Sequence, residues 1–312
     1  MIHIQKDYSE SINAITHTAP HHADEVFATA MLEMLFPVEL FRTRDLSIIN
    51  STQAIVYDVG GEFNDKKKRF DHHHKGFSEI RSDGIIYSSA GLIWREYGVE
   101  IIKKLNETKE IDEETAQAIF SHVDQSLIRG IDARDNGQGE KGDAMSVSAI
   151  ISSFNALWDK DENANDCFIE ACKLASNILK RQIQVAASSI YGKNMVKEYI
   201  ESSSKSVLIM NRFIGGWLDA VLTSENPKSA DLLYAVFPAI DGNWNIQAIP
   251  PTIQDKMLQR KPFPSEWRGL MNDELIEVSG VKTAVFCHAG GFFAVAKTKE
   301  DAIALAEKAA ND

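Results

Sequence analysis

Histidine and aspartate recur in this chain in short, dense groups. His17, His21 and His22 stand just ahead of Asp24, Asp71 is followed at once by His72, His73 and His74, and Asp58, Asp132 and Asp135 stand apart from both. Neutral imidazole and ionised carboxylate make a mixed divalent-metal shell of the kind that suits Mn²⁺, Co²⁺, Fe²⁺ or Zn²⁺, whereas an all-oxygen shell suits Mg²⁺ or Ca²⁺. Brought together without a cation, three carboxylates would repel one another and resist burial. The donors outnumber what one tetrahedral ion takes, so the set calls for two ions sharing a carboxylate, and Asp58 is the expected bridge. Two ions about 3.5–4 Å apart can activate a hydroxide and stabilise both oxygens of an in-line phosphoryl displacement. Asp132 and Asp135 admit a second reading, because Asp-x-x-Asp-Asn-Gly is also a good turn sequence.

Regular elements must carry these residues to one place. Ile12-Asn13-Ala14-Ile15-Thr16 reads as a short strand directly before His17, and Ala54-Ile55-Val56-Tyr57 as a buried strand that stops at Asp58 and Gly60-Gly61. Val26, Phe27, Ala30, Met31, Met34 and Leu35 share one face of a helix that ends at Pro37. Ser88-Ser89 predicts a helix start, with the helix running through Tyr97 and stopping at Gly98. Asp112, Glu113 and Glu114 open another. Its apolar face runs from Ala116 to Ile131, which leaves Asp132 and Asp135 just beyond its end. Strands alternating with helices predict an α/β fold with a mainly parallel sheet flanked by helices. Ligands of such sheets bind at the carboxyl ends of the strands, where His17, Asp58 and residues 71–74 would converge.

Residues 166–200 hold no proline and one glycine and read as long helical structure, followed by Ser202-Ser203-Ser204. That places a metal-binding catalytic domain at 1–200 and a smaller mixed α/β domain at 205–312. Strands are expected at 207–210, 232–237, 246–249, 285–288 and 292–297, with a closing helix at 299–310. The length, 312 residues, is about twice that of a usual single domain. Apolar residues at 44% and charged ones at 25% exclude disorder as the dominant state. With 33 basic against 45 acidic residues the net charge is −12, which argues against broad binding of nucleic acid while leaving room for a strand end gripped by metal. No apolar run has membrane-spanning length and residues 1–7 carry no signal core. The three cysteines, Cys167, Cys172 and Cys287, lack a pairing pattern, which fits free thiols in a reducing cytoplasm.

Asp71-His72-His73 is the motif that names the DHH phosphoesterase superfamily, which includes RecJ-like exonucleases and manganese-dependent inorganic pyrophosphatases. Further motifs follow in order. They are Thr16-His17, His22-Ala23-Asp24-Glu25, the stretch from Val56 to Phe63, Ser88-Ser89-Ala90-Gly91-Leu92, Asp132-Ala133-Arg134-Asp135-Asn136-Gly137, and Pro264-Ser265-Glu266-Trp267-Arg268-Gly269. Together they closely resemble the melanocyte-proliferating-gene branch of metal-dependent hydrolases, from about residue 12 to the end. The resemblance implies a 3′–5′ exonuclease acting on RNA or oligonucleotides, with two divalent metal ions, manganese ahead of magnesium, cobalt, iron or zinc. It further implies His17, His22, Asp24, Asp58, His72 and Asp132 as ligands, with Asp135 close behind Asp132, and His73 facing the scissile phosphate beside the catalytic Asp58. One departure is local: Thr18-Ala19-Pro20-His21 replaces the branch's Asn-Gly-Thr-Phe, so His21 is either an added ligand or turned away.

The second domain would supply substrate contacts. Cys287-His288-Ala289-Gly290-Gly291 follows an apolar strand, and its glycines permit close backbone approach to a phosphate or sugar. His288 resembles a substrate-side residue of the branch, or is incidental to a strand-turn-strand hairpin, and Arg268 could pair bidentately with phosphate across an interdomain cleft or serve a structural ion pair. Arg42, Arg44 and residues 66–69 could add local positive potential, although Lys66, Lys67 and Lys68 read better as a solvated charge run. Two other functions stay open: hydrolysis of a small phosphoester or nucleotide, and a non-catalytic metal-binding or scaffold role.

Overall fold

Two apolar triplets, Ala14-Ile15-Thr16 and Ile55-Val56-Tyr57, are buried at every position, the pattern of inner strands covered on both faces. They lie at the centre of the first of two compact units, Met1–Ala187 and Ser188–Asp312. The computed structural model describes residues 1–106, 111–140, 145–203 and 206–312. In chain order the first unit begins with Ile2–Ile4 (β1), Ala14–Thr16 (β2), Ala23–Leu35 (α1), Val38–Arg42 (β3) and Leu46–Ser51 (α2). Ile55–Tyr57 (β4), Phe63–Asn64 (β5), Arg69–Phe70 (β6) and Ser89–Leu105 (α3) follow. Glu113–Val123 (α4), Arg129–Asp135 (α5), Val147–Ser152 (α6) and Ala164–Ser202 (α7) complete it, the last supplying residues to both units. Of the expected serine linker, Ser202 closes α7 and Ser204 lies outside the described residues.

The first sheet has the order β1-β3-β2-β4-β6-β5, parallel throughout except for the edge strand β5. Its mainly parallel character is as expected, although the first predicted strand begins at Ala14 rather than Ile12. Beneath it the buried Arg69 guanidinium donates to the carbonyls of Ile49, Thr52 and Ala54. Arg69 is therefore a bracket for that loop and no part of a positive surface.

Two helix expectations are corrected. Helix α3 runs through Gly98 to Leu105 instead of stopping there. Gly98 is a packing residue: a Cβ on it would lie 2.8 Å from the rings of both Phe120 and Trp94. Those rings stack with centroids 5.4 Å apart, so the absent side chain lets α3 and α4 approach. The Asp112-capped helix also continues further. After α4 it passes through a π-helical stretch, Asp124–Ile128, into α5, so Asp132 and Asp135 sit within helix and not in a turn beyond it.

The second unit carries Val207–Ile209 (β7), Trp217–Leu222 (α8), Lys228–Asp231 (α9), Tyr234–Pro238 (β8) and Trp244–Ala248 (β9). Asn272–Ser279 (α10), Ala284–Cys287 (β10), Phe293–Ala296 (β11) and Lys299–Asn311 (α11) follow. All five expected strands and the closing helix are present, in a mixed sheet ordered β10-β11-β9-β8-β7. Alternation sorts β8 between two cores: Tyr234 and Val236 face α11 residues Ala302, Leu305, Ala306 and Ala309, while Ala235 and Phe237 face Trp217 and Val221. Among the described residues no helix is long and apolar enough to cross a membrane.

Candidate functional site

Strands β2, β4 and β6 are neighbours and parallel, and each hands its chain to a ligand-type residue: Thr16 to His17, Tyr57 to Asp58, Phe70 to Asp71. The carboxyl ends therefore place three donors in a row about 4.8 Å apart by strand spacing alone. Asp58 turns there with φ 56°, a left-handed conformation uncommon for a residue with a side chain and one that tends to mark sites under functional constraint.

The donors form three overlapping groups, His17–His22–Glu25–Asp58, Asp58–Asp71–His72–His73 and Asp24–His72–Asp135, whose ligand atoms within each group lie within 4.8 Å of one another. Asp58 belongs to two of them. The chemistry of this set fits a cation. His17 Nδ1 lies 2.5 Å from the Thr18 carbonyl, which can only accept, so Nδ1 carries a proton and Nε2 is the ring atom turned to the site. Nε2 faces Asp58 Oδ2 at 3.2 Å and Glu25 Oε1 at 3.3 Å, so three ligand-type atoms crowd one buried point. Asp58 Oδ1 is buried and has no hydrogen-bond partner among the described residues. Burial raises the pKa of both Asp24 and Glu25 well above the usual carboxylate range, and the Asp58 charge adds to it. A divalent ion would relieve each of these penalties at once.

His72 and His73 are held differently. Only 6% of the His72 side chain is exposed; its Nε2 lies 3.0 Å from Asp135 and its Nδ1 3.7 Å from Asp24. Burial disfavours a charged ring there, but the Asp135 hydrogen bond and the Asp24, Asp135 and Asp58 charges outweigh it and push its pKa up to about 9. His73 is 60% exposed, with Nδ1 2.8 Å from Asp71 and 3.4 Å from Asp58 Oδ1. Its hydrogen bond to Asp71 raises its pKa. Asp71 also accepts the Gly61 N–H at 2.5 Å, so it orients His73 as a carboxylate orients a working imidazole.

Asp132 is placed outside these groups. Its buried carboxylate meets Arg81 at 2.7 Å, accepts the N–H groups of Ser88 and Gly91, and stands 2.7 Å from the Ser88 hydroxyl. Its pKa is pushed up to about 6 by burial, against the lowering influence of Arg81 and Ser88. Gly91 is obligatory here, since a Cβ would sit 2.2 Å from the carboxylate. The same Ser88 hydroxyl is 2.7 Å from Asp24, which also accepts the N–H groups of Ser89 and Ala90 at the start of α3. Arg81 also grips Asp124, through Nη1 at 2.5 Å and Nη2 at 2.9 Å. One chain of contacts thus runs Asp24–Ser88–Asp132–Arg81–Asp124, and Asp124 opens the π-helical stretch, a feature frequent at functional sites.

His21 is also turned away: its Nε2 lies 3.3 Å from the Ile151 carbonyl, and burial lowers its pKa to about 4. Glu25 was not anticipated as a donor, although its place three residues after His22 is that of a capping-box acid, and both its oxygens accept the His22 N–H. Arg81 gave no signal in the sequence. In the second unit, Arg268 and the glycine loop do meet. Arg268 Nε donates to the Phe263 carbonyl at 2.8 Å, a Cβ on Gly291 would lie 2.8 Å from that nitrogen, and His288 accepts the Gly290 N–H at 2.9 Å.

His17, His22, Asp24, Asp58, Asp71, His73 and Asp135 line a cavity of about 1050 Å³, together with Arg44, Leu46, Arg134 and residues of α6. The model of an uncharacterised protein family, UPF0160, matches residues 13–310. The MYG1 protein of Dictyostelium discoideum is 32% identical over 320 residues, covering 95% of each chain. The MYG1 protein of Chlamydia trachomatis is 31% identical, covering 91% of this chain and 92% of its own. A human relative, named MYG1 exonuclease, is 27% identical over 93% of this chain and 84% of its own.

Proposed function

The chain belongs to the MYG1 family (UPF0160), and from that premise and the geometry of its acidic cleft we propose that it is a metal-dependent phosphodiesterase that shortens RNA or oligonucleotides from the 3′ end. The observation that carries this reading is the convergence of His17, Asp58 and Asp71–His72–His73 at three adjacent strand ends, with a buried Asp58 oxygen that accepts no hydrogen bond among the described residues. We place the first unit, on the same residues, among DHH-type phosphoesterases, with the chemistry in residues 1–200.

Two divalent ions, manganese first, would be held by His17, His22, Glu25 and Asp58 and by Asp24, His72 and Asp135. When bound, they supply Lewis acidity and lower the pKa of coordinated water. The protein's own residues do the rest. Asp58 holds charge at the centre of the site. Asp71 fixes the proton of His73 on Nδ1, and the exposed ring presents Nε2 to a phosphate or departing oxygen. Asp132, buried against Arg81, is proposed to hold the start of α3 and through it Asp24, in place of a ligand role. Arg268, His288, Gly290 and Gly291 are proposed to bind the substrate backbone, with Arg268→Ala lowering phosphodiester hydrolysis about tenfold.

The test is one assay panel with Mn²⁺: single-stranded RNA, single-stranded DNA, dinucleotides, a nucleoside monophosphate and pyrophosphate. Stepwise release of mononucleotides from 3′-labelled RNA supports the reading. Hydrolysis confined to the monophosphate or pyrophosphate overturns it in favour of a small-phosphoester hydrolase, and no hydrolysis beside tight Mn²⁺ binding favours a scaffold.

A further inference from the structure

Two guanidinium groups line the cavity beside the candidate ligands: Arg44, two residues beyond β3, and Arg134, one residue before Asp135 in α5. Both residues are exposed, and among the described residues neither side chain makes a hydrogen bond or an ion pair. Elsewhere in the same unit Arg81, Arg95 and Arg129 each grip a carboxylate. Arg42, close to Arg44 in sequence, is buried, with its Nε on the His17 carbonyl and its plane over Phe168. In a chain with 45 acidic and 33 basic residues, two arginines facing an acidic cavity without touching its carboxylates stand ready for an anion that arrives from outside.

They flank the ligands from opposite sides. Strand β3 is the outer neighbour of β2, so Arg44 stands beyond His17. Arg134 adjoins Asp135, which meets His72 after β6, at the other end of the row. From β3 to β6 is three strand spacings, about 14 Å. A lone phosphate spans a small part of that distance, whereas a stacked strand carries one phosphate about every 3.4 Å. The cavity volume of about 1050 Å³ also stands at the top of the range of roughly 300–1,000 Å³ that serves small ligands.

We propose that Arg44 and Arg134 each take a different phosphate of one bound strand, which makes the substrate of this cleft an oligonucleotide with at least two phosphates. This rests on the phosphodiesterase reading and adds to it the length of strand the cleft demands and the two residues that measure it.

The test uses the full chain with Mn²⁺, a fluorescein-labelled ten-nucleotide phosphorothioate RNA for binding by anisotropy, and two substrates, the ten-nucleotide RNA and bis(p-nitrophenyl) phosphate. Arg44→Ala and Arg134→Ala should each weaken binding about tenfold and lower the slope of log affinity against log salt by about 0.7, the single-strand value for one phosphate contact. The ratio of kcat/KM for the RNA over that for bis(p-nitrophenyl) phosphate should fall at least fivefold in each variant, and Arg→Lys should restore the salt slope. Mn²⁺ titrated into both variants by calorimetry should match the parent. Variants with an unchanged ratio and salt slope, in a protein that cleaves the RNA, overturn this proposal alone. A parent protein that hydrolyses bis(p-nitrophenyl) phosphate yet neither binds nor cleaves the RNA overturns the nuclease reading and this proposal together.

Discussion

Replacing Arg81 by alanine removes the one cation that, among the described residues, touches both Asp132 and Asp124. The Arg81 side chain is 4% exposed, that of Asp132 fully buried and that of Asp124 14% exposed, so the arginine stands between two carboxylates that have little water to turn to. Removing one partner of a buried ion pair costs about 3–5 kcal/mol, because the other charge stays behind without compensation. For a unit of this size each kcal/mol lowers Tm by roughly 2–4 °C, so a fall on the order of 10 °C is expected for the metal-free protein. The loss should depend on pH. Burial already holds the Asp132 pKa at about 6, and without Arg81 it rises further. A carboxyl whose folded pKa is raised penalises the folded state as pH climbs through that value, so the defect should be largest at pH 8 and shrink towards pH 5. Asp132→Asn in the Arg81→Ala background should recover part of the loss at pH 8, as coupling within one network requires. The assay is thermal melting of the parent, both single variants and the double variant in chelator at both pH values. A defect below about 2 °C, or one equal at pH 5 and pH 8 with no coupling to Asp132, would refute the argument.

Three further outcomes are expected. Asp58→Asn should weaken Mn²⁺ binding by at least tenfold in calorimetry while the metal-free Tm stays level or rises, because its charge works against Asp24 and Glu25; unaltered Mn²⁺ binding would remove it from the bridge. His72→Ala should lose metal on dialysis whereas His73→Ala keeps it and loses turnover, so equal metal loss in the two would make both of them ligands. Gly98→Ala should destabilise by about 1–3 kcal/mol through overlap with Phe120 and Trp94, and Gly130→Ala, which meets nothing within 4 Å, should stabilise by about 0.5–1 kcal/mol; equal effects in urea melts would deny the packing role of Gly98.

Much of the site was legible from local signals. Short apolar runs that end in His17 and Asp58 report buried parallel strands and their carboxyl ends, and that relation needs nothing beyond neighbours in sequence, whereas the two-residue strand Arg69–Phe70 ahead of Asp71 has no apolar run to announce it. The strands and closing helix of the second unit were read from the same kind of pattern, while the short helices α8 and α10 were missed, having too few turns to show a period. Gly98 misled because a helix-stopping glycine and a helix-packing glycine look alike until the opposing ring of Phe120 is known.

The type of donor, the strand ends that offer it and the class of fold follow from residue chemistry and periodicity, which are properties of short segments. Which donors share a group is a property of distance and phase. Asp132 and Asp135 lie three residues apart, about 60° around a helix, so sequence cannot say which one reaches His72. The π-helical stretch Asp124–Ile128 settles it: an extra residue in a turn rotates everything after it by roughly 100°. With that rotation Asp132 points at Arg81 and the start of α3, and Asp135 at His72. Arg81 itself, 51 residues from Asp132 along the chain, becomes a partner only when the fold closes that separation and leaves a buried carboxylate in need of a charge.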